Sequence, residues 1–308
     1  MATLKNLIRK LIGNMVGGWE REFKYMTGQS AIIASRQNFG TFQHLWDAEV
    51  KVYSQFGEDG ILDYLCEKLS LSKPKIIEIG AGNFTECNSR WMCEFRNASA
   101  FCVDGREDLG VGIRNSKLLW KTHLFHRQDW VTPDNVQEII DTAHKTLAGL
   151  DIFSLDLDGN DYWILKNADL KNVKLVIVEY NPLFGHTNEV TIPRNDSFSR
   201  SSSHHSWLYF GASLKAFTSL LSTKDFAFVG TNRVGNNAFF VKNDLRRNIP
   251  LEPQSDYSIY TDWPIRDSRS ASGALNYLAG RDRIEVMEDM PLLELVSNRS
   301  IRLGDASK

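Results

Sequence analysis

Between residues 53 and 245 short apolar runs alternate with longer mixed segments, the pattern of a parallel sheet covered by helices. The runs predict strands over 75–79, 100–103, 123–126, 151–155, 174–178, 226–229 and 238–241. Only residues 230–237 separate the last two, too few for a helix, so these strands should close the sheet as an antiparallel hairpin. Ahead of this region, Leu4, Leu7, Ile8, Leu11, Ile12 and Met15 recur at helical spacing among Lys5, Arg9, Lys10, Arg21 and Lys24. That predicts a short basic amphipathic helix within residues 1–25, broken by Gly13, Gly17 and Gly18. Its face suits packing on its own domain or on a second copy, with weak peripheral membrane contact as the alternative. Beyond Lys242 the pattern loosens around Pro250, Pro253 and Pro264, with a helix expected over 272–278 and apolar segments near 284–287 and 292–296. The expected organisation is an N-terminal helical extension (1–50), a doubly wound α/β core (51–245) and a C-terminal appendage (246–308) that covers the core or builds an oligomer contact.

Composition narrows the class. The 308 residues are 42% hydrophobic and 24% charged, which excludes a disordered or fibrous chain. A balance of 36 basic against 38 acidic residues gives a net charge of -2, so no global field exists to hold nucleic acid. Cys66, Cys87, Cys93 and Cys102 form no C-x-x-C pair and are expected to be reduced, buried thiols, which with the lack of a secretory-leader pattern points to the cytoplasm. No apolar run is long enough to span a bilayer.

In open α/β sheets the chemistry gathers beyond the carboxyl ends of the strands. The first strand leads into Glu78-Ile79-Gly80-Ala81-Gly82, where paired glycines allow a tight turn and close approach to a ligand. The third glycine of the dehydrogenase fingerprint is missing. The second strand ends at Asp104, placed to accept both hydroxyls of a ribose, and the third at Asp129, an acceptor for an adenine amino group beside Trp130.

These blocks, with residues 54–60 (SQFGEDG), 86–88 (ECN), 155–163 (LDLDGNDYW), 179–181 (EYN), 209–214 (YFGASL) and 232–241 (NRVGNNAFFV), resemble the FkbM-like methyltransferases over about residues 50–245. The resemblance implies a Rossmann-like, seven-stranded class I methyltransferase fold and S-adenosylmethionine as cofactor. It carries cofactor roles to Glu78, Gly80, Ala81 and Gly82 at the methionine end and to Asp104 at the ribose, and by position to Gln55 and Glu58. Ser154 stands where such chains more often have lysine. The implied reaction is O-methylation of a small polyol, a sugar or sugar nucleotide in polysaccharide or secondary-metabolite biosynthesis.

Asp156 and Asp158 share one face of a strand end, and Gly159 lets the chain turn to bring Asp161 near them. Asp156 also borders the cofactor region. Glu179 and Asn181 end the neighbouring strand, so three or four carboxylates and an amide converge with the hard oxygen donors that Mg2+ prefers. Two readings stay open here: a metal held by Asp156, Asp158, Glu179 and Asn181, or acids that hydrogen-bond the substrate without one. Asp158, Asp161 and His186 are the catalytic candidates, with His204 and His205 as further bases on a polar, lid-like loop (196–203) ahead of a helix containing Tyr209. Arg200 and Arg233 could clamp a substrate anion, and Trp163 should pack beneath the fourth strand. A noncatalytic methyltransferase-fold protein that binds a glycan enzyme is the alternative from another class.

Overall fold

The computed structural model describes residues 2–253 and 263–306, with side chains in the first helix described from residue 17 onward. Its centre is a seven-stranded sheet of β1 (Lys75–Ile79), β2 (Ser99–Asp104), β3 (Leu124–Gln128), β4 (Ile152–Leu155), β5 (Leu175–Glu179), β7 (Phe226–Thr231) and β8 (Asn237–Lys242). The order is β3-β2-β1-β4-β5-β8-β7, with β8 antiparallel to both neighbours and the others parallel. Every predicted strand is present, and the closing hairpin has the expected sense.

Alternation along the strands divides the core. Ile76, Ala100, Cys102, Ile152, Ile177 and Phe239 pack on one face, against α2 (Glu58–Lys68), α3 (Asn88–Arg96), α4 (Leu109–Ser116) and Ile32. Ile77, Phe101, Phe153, Val176, Val178 and Phe240 pack on the other, against α5 (Val136–Leu147), α6 (Asp161–Asn167) and α8 (Leu214–Thr223). All four cysteines are buried free thiols, so at this burial they behave as small apolar side chains. Between α6 and α8 the chain forms β6 (Val190–Thr191) and the short helix α7 (Arg200–Ser203).

Two expectations at the ends are corrected. The N-terminal helix does not break at its glycines: α1 runs unbroken from Ala2 to Gln37. Each glycine costs about 1 kcal/mol against alanine, but the second half is anchored on the body, where Arg36 grips Asp63 through two bonds of 2.8 and 2.7 Å. Gly28 permits that docking, since a Cβ there would stand 2.8 Å from Val52 and 3.1 Å from Trp91. The basic face expected over residues 2–16 lies outside the described side chains. At the other end, residues 272–278 form a turn rather than a helix. Gly273 adopts φ +83°, and Ser270 N–H donates to Ala274 O at 2.9 Å; a glycine in the left-handed region makes the reversal cheaply. The apolar segments that follow become a helical turn, Asp282–Glu285, and β9 (Pro291–Glu294), which joins β10 (Arg299–Arg302) and β6 in a three-stranded antiparallel sheet. Among the described residues no helix is long and apolar enough to cross a membrane.

The segment ahead of α2 is built around a buried carboxylate. Asp59 Oδ2 accepts from the backbone N–H groups of Val52, Tyr53 and Ser54 at 2.6–2.8 Å. Gly60 is obligatory there, because a Cβ would lie 2.1 Å from Ala48 O. Burial pushes Asp59 up to about 6 and nearby Glu49 up to about 7. A carboxyl whose folded pKa is raised contributes stability that is fully present below its unfolded pKa and is lost as pH rises through the folded value. The melting temperature should therefore fall as pH is raised from 5 to 8. Glu49→Gln should make that fall shallower, as followed by melting curves across the series; an unchanged slope would remove Glu49 as a cause.

Candidate active site

Beyond the carboxyl ends of β1, β2 and β4 lies a cavity of about 590 Å3. Its first wall is the loop after β1. Gly80 adopts φ +91°, and a Cβ there would stand 1.6 Å from Asp156 O, so this loop and the β4 loop touch backbone to backbone. Gly82, at φ +56°, has no atom within 4 Å of its Cβ position. Its N–H donates to Asp104 Oδ2 at 2.7 Å while Arg106 N–H donates to Oδ1 at 2.9 Å. Asp104 thereby ties the first loop to the second. Glu78 lies on the opposite side of β1 from Ile77 and Ile79, under the start of α3, where its oxygens accept from Asn88 N–H at 2.7 Å and Ser89 N–H at 2.8 Å. Its burial raises its pKa against the lowering effect of those bonds. Ser154 accepts from Asn88 Nδ2 at 3.0 Å.

Gln55, Glu58, Glu78, Gly80, Gly82, Asp104, Asp129, Asp156 and Asp158 all line this one cavity, whereas Ala81 is buried behind it. Asp129 is paired with Arg127 at 2.7 Å.

The acids after β4 and β5 form a second feature. Asp156, Asp158 and Glu179 each present an oxygen within 4.8 Å of the others. Burial first, and mutual repulsion second, hold Asp156 and Glu179 well above the usual carboxylate range. Glu179 Oε2 is buried and has no hydrogen-bond partner, while Oε1 accepts from Asn236 Nδ2 at 3.3 Å. Asp158 has a left-handed backbone, φ +55°, and its carboxylate is met by the Arg200 guanidinium. Arg200 also lies 4.1 Å over the Phe210 ring and donates to Trp207 O.

Other predicted residues do different work. Asp161 faces its own loop, accepting from Leu157 N–H and Gly159 N–H at 2.8 Å each, and burial pushes it up to about 6. Asn181 donates to Leu208 O at 2.9 Å and Phe210 O at 3.0 Å and accepts from Leu183 N–H at 3.0 Å. Its amide is spent on backbone, so the clustered donor set is three carboxylates without it. His186, His204 and His205 do not line the cavity; His204 Nδ1 bonds Ser206 Oγ at 2.8 Å and its ring lies tilted at 39° to that of His205, centroids 4.3 Å apart. Arg233 sits beside Asp47 and Glu49, at 3.5 and 3.8 Å, and does not line the cavity. Trp163 is partly buried and donates to Ile192 O at 2.9 Å. Tyr209 precedes α8 in an extended, buried stretch instead of lying in a helix.

The loop predicted as a lid is latched across the cavity mouth. Trp130 Nε1 donates to Asp196 O at 2.7 Å, Asn160 exchanges bonds with the Asn195 backbone, and Phe198 covers Gly159. Sequence reading also missed a buried amide relay. Asn232 Nδ2 donates to Glu58 Oε1 at 2.7 Å and to Asn236 Oδ1 at 2.8 Å, and Asn237 Nδ2 donates to Glu58 Oε1 at 2.9 Å. The signal was present: three asparagines at the tip of an otherwise apolar hairpin, where turn chemistry alone needs fewer.

No family model matches the chain, and no curated protein matches it. Solved structures do. An O-methyltransferase family protein from Burkholderia thailandensis is 12% identical over 60% of this chain and 58% of its own length, with a TM-score of 0.34. The matched region thus spans less than two thirds of that protein. A putative O-methyltransferase from Nostoc punctiforme is 14% identical over 71% of this chain and 68% of its own, TM-score 0.33. A mutant of MtNAS in complex with S-adenosylmethionine is 12% identical over 72% and 76%, TM-score 0.32.

The two loop glycines separate packing from ligand contact. Gly80→Ala should cost about 2–4 kcal/mol through its clash with Asp156 O and its positive φ. Gly82→Ala, with open space around it, should cost only about 1–2 kcal/mol. Urea denaturation of both variants checks the order, and equal costs would contradict the close β1–β4 approach.

Proposed function

We propose that the chain is an S-adenosylmethionine-dependent methyltransferase acting on a hydroxyl of a neutral polyol such as a sugar. The observation that carries this reading is the opening of the glycine turn, Asp104 and two acids of the cluster, Asp156 and Asp158, onto one cavity, with Glu179 beside them outside its lining. The residues fit the cofactor: Gly82 leaves room for close approach, and Asp104 is held with its oxygens at the rim. When bound, S-adenosylmethionine supplies an electrophilic methyl group on a sulfonium. The chain's part is to orient the acceptor in line and take up its proton. Asp156 and Glu179 suit the second task, because a carboxylate whose proton affinity is raised by burial is the stronger base once ionised.

The cluster also fits a divalent cation. Three hard oxygen donors converge, and Glu179 keeps one buried oxygen without a partner. A cation held by Asp156, Asp158 and Glu179 would lower the pKa of a coordinated hydroxyl. The lining favours a neutral acceptor over a sugar nucleotide: seven carboxylate residues face one arginine, Arg106, which Asp108 already engages at 2.9 Å. The lining therefore offers a phosphate no cation that is not already engaged. We assign catalysis to residues 51–245, the roof of the cavity to the latched loop, an appendage that extends β6 through β9 and β10 to residues 246–308, and the protein to the cytoplasm, where four buried thiols stay reduced.

S-adenosylhomocysteine at a hundredfold excess over its Kd should raise the melting temperature by about 5 °C or more. Mg2+ should add to the shift and a chelator remove the addition. A cofactor shift indifferent to metal leaves the acids as direct proton acceptors. No shift at saturating ligand would end the transferase reading in favour of a noncatalytic binding protein. With a sugar diol found by transfer of labelled methyl, Asp158→Asn should lower kcat about tenfold or more; unchanged turnover would relieve Asp158 of its role.

A further inference from the structure

The tip of the β7–β8 hairpin holds more amide than its turn needs. Asn232 closes the turn: its Oδ1 accepts from the backbone N–H groups of Gly235, Asn236 and Asn237 at 3.0–3.1 Å, and its own backbone N–H donates to Asn237 O at 3.0 Å. The side chains of Asn236 and Asn237 take no part in that closure. Both are buried, and their bonds run to other side chains. A buried amide costs free energy that an apolar residue avoids unless its bonds are made, so these two have work outside the turn. The polarity of the network is fixed from the turn outward. With Oδ1 of Asn232 taken by three backbone donors, its Nδ2 hydrogens go to Glu58 Oε1 at 2.7 Å and Asn236 Oδ1 at 2.8 Å. Asn236 must then turn its Nδ2 the other way, to Glu179 Oε1 at 3.3 Å. Asn237 Nδ2 completes the brace on Glu58 Oε1 at 2.9 Å, and Phe56 N–H holds Oε2 at 2.9 Å.

We infer that Asn237 and Asn236 are positioning residues with separate tasks: Asn237 fixes Glu58 on the cofactor wall, and Asn236 fixes Glu179 beside the acids that face the acceptor. The assignment rests on the transferase reading above. Glu58 and Asn237 line the cavity; Asn236 and Glu179 stand outside it, and Glu179 presents an oxygen within 4.8 Å of Asp156 and Asp158, which line it. One hairpin tip therefore braces a carboxylate in each half of the site, through a different asparagine for each. Among the described residues Asn236 is the one hydrogen-bond donor to Glu179, whose second oxygen has none. Without that bond the carboxylate is free to leave the place where its charge adds to those of Asp156 and Asp158. Loss of Asn237 instead removes one of three donors from Glu58. The backbone at both positions is anchored independently of the amides. Tyr180 N–H donates to Asn236 O at 2.7 Å, and Asn237 pairs with Glu179 in the β5–β8 ladder, so trimming either side chain leaves the strand pairing in place.

Calorimetric titration of the full chain, in the presence of a chelator, tests this division with two probes. S-adenosylhomocysteine is uncharged at the reacting centre, whereas sinefungin carries an ammonium where the methyl group of S-adenosylmethionine stands; the adenosine and amino-acid parts are common to both. Wild type should bind both and prefer sinefungin, because the carboxylates attract its ammonium. Asn236→Ala and Asn236→Ser should bind S-adenosylhomocysteine within about twofold of wild type yet lose about fivefold or more of the sinefungin preference. Asn237→Ala should weaken both ligands alike, by about fivefold or more, and keep the preference. Melting curves should show all three variants folded at the titration temperature. A tip that matters only for the fold would move both ligands together in every variant, which would overturn the assignment. So would variants that bind like wild type, variants that no longer fold, or a wild type without the preference. A wild type that binds neither ligand would end the transferase reading and this inference with it, whereas an intact preference in the Asn236 variants overturns the inference alone.

Discussion

The candidate site depends on one close approach, the contact between the loops leaving β1 and β4. No side chain fits between Gly80 and Asp156 O. With nothing in the gap, Gly80 N–H and Ala81 N–H reach Val103 O at 2.9 and 3.3 Å, and Asp156 N–H reaches Ile79 O at 3.0 Å. The ends of β1, β2 and β4 are thus held by backbone bonds past the regular ladder. Asp104 can then reach Gly82, and Asp156 is delivered to the cavity wall by strand geometry. The two halves of the site, glycine turn and acid cluster, are positioned by the same bonds, so neither can shift without the other.

A second constraint is the cost of the buried acids. Glu58, Glu78, Asp59, Asp161 and Glu179 are at least nine-tenths buried, and a carboxylate out of water needs donors or a counter-charge. The chain answers differently at each. Backbone N–H groups serve Glu78, Asp59 and Asp161, making these acids structural braces. Glu58 is served by the side-chain amides of Asn232 and Asn237, which ties α2 to the β7–β8 hairpin. Glu179 alone among these five receives only one long side-chain bond and keeps an orphan oxygen. Asp59 also keeps a buried oxygen, Oδ1, without a partner, but its Oδ2 takes three backbone N–H groups; Glu179 is the least satisfied of the five, and there a proton, a cation or an acceptor hydroxyl has the most to gain.

Much of this was legible from the chain, and the limits have physical causes. Strand positions were readable because buried parallel strands are short apolar runs that flank turn residues. The closing hairpin followed from an eight-residue gap. The glycine turn and Asp104 could be placed because their roles depend on position at a strand end, which one-dimensional reading fixes. Roles of carboxylates could not be separated that way. Asp158 and Asp161 look equivalent in sequence, yet Asp161 begins α6 and turns back onto Leu157 and Gly159, whereas Asp158 points to Arg200, 42 residues away. Asn181 read as a ligand because it follows Glu179, but the carbonyls of Leu208 and Phe210 claim its amide, and that pairing is long-range. The N-terminal helix was cut short for another reason: glycine propensity is a local cost of about 1 kcal/mol per residue, while the docking of Ile32 and Arg36 on the body is tertiary.

Arg200 shows how the roof and the chemistry are joined. Its guanidinium, stacked on Phe210 and bonded to Trp207 O, is fixed from the roof side, and its charge is spent on Asp158 from the strand side. Asp158 in turn occupies a left-handed backbone that costs a non-glycine residue about 1–2 kcal/mol, a conformation that aims the carboxylate at the arginine. The pairing lowers the repulsion among three crowded acids while the roof is latched. Arg200 belongs to the same segment that Trp130 and Asn160 hold at its other end. The strand-end acids and the segment that Trp130 and Asn160 hold are therefore joined through a single ion pair.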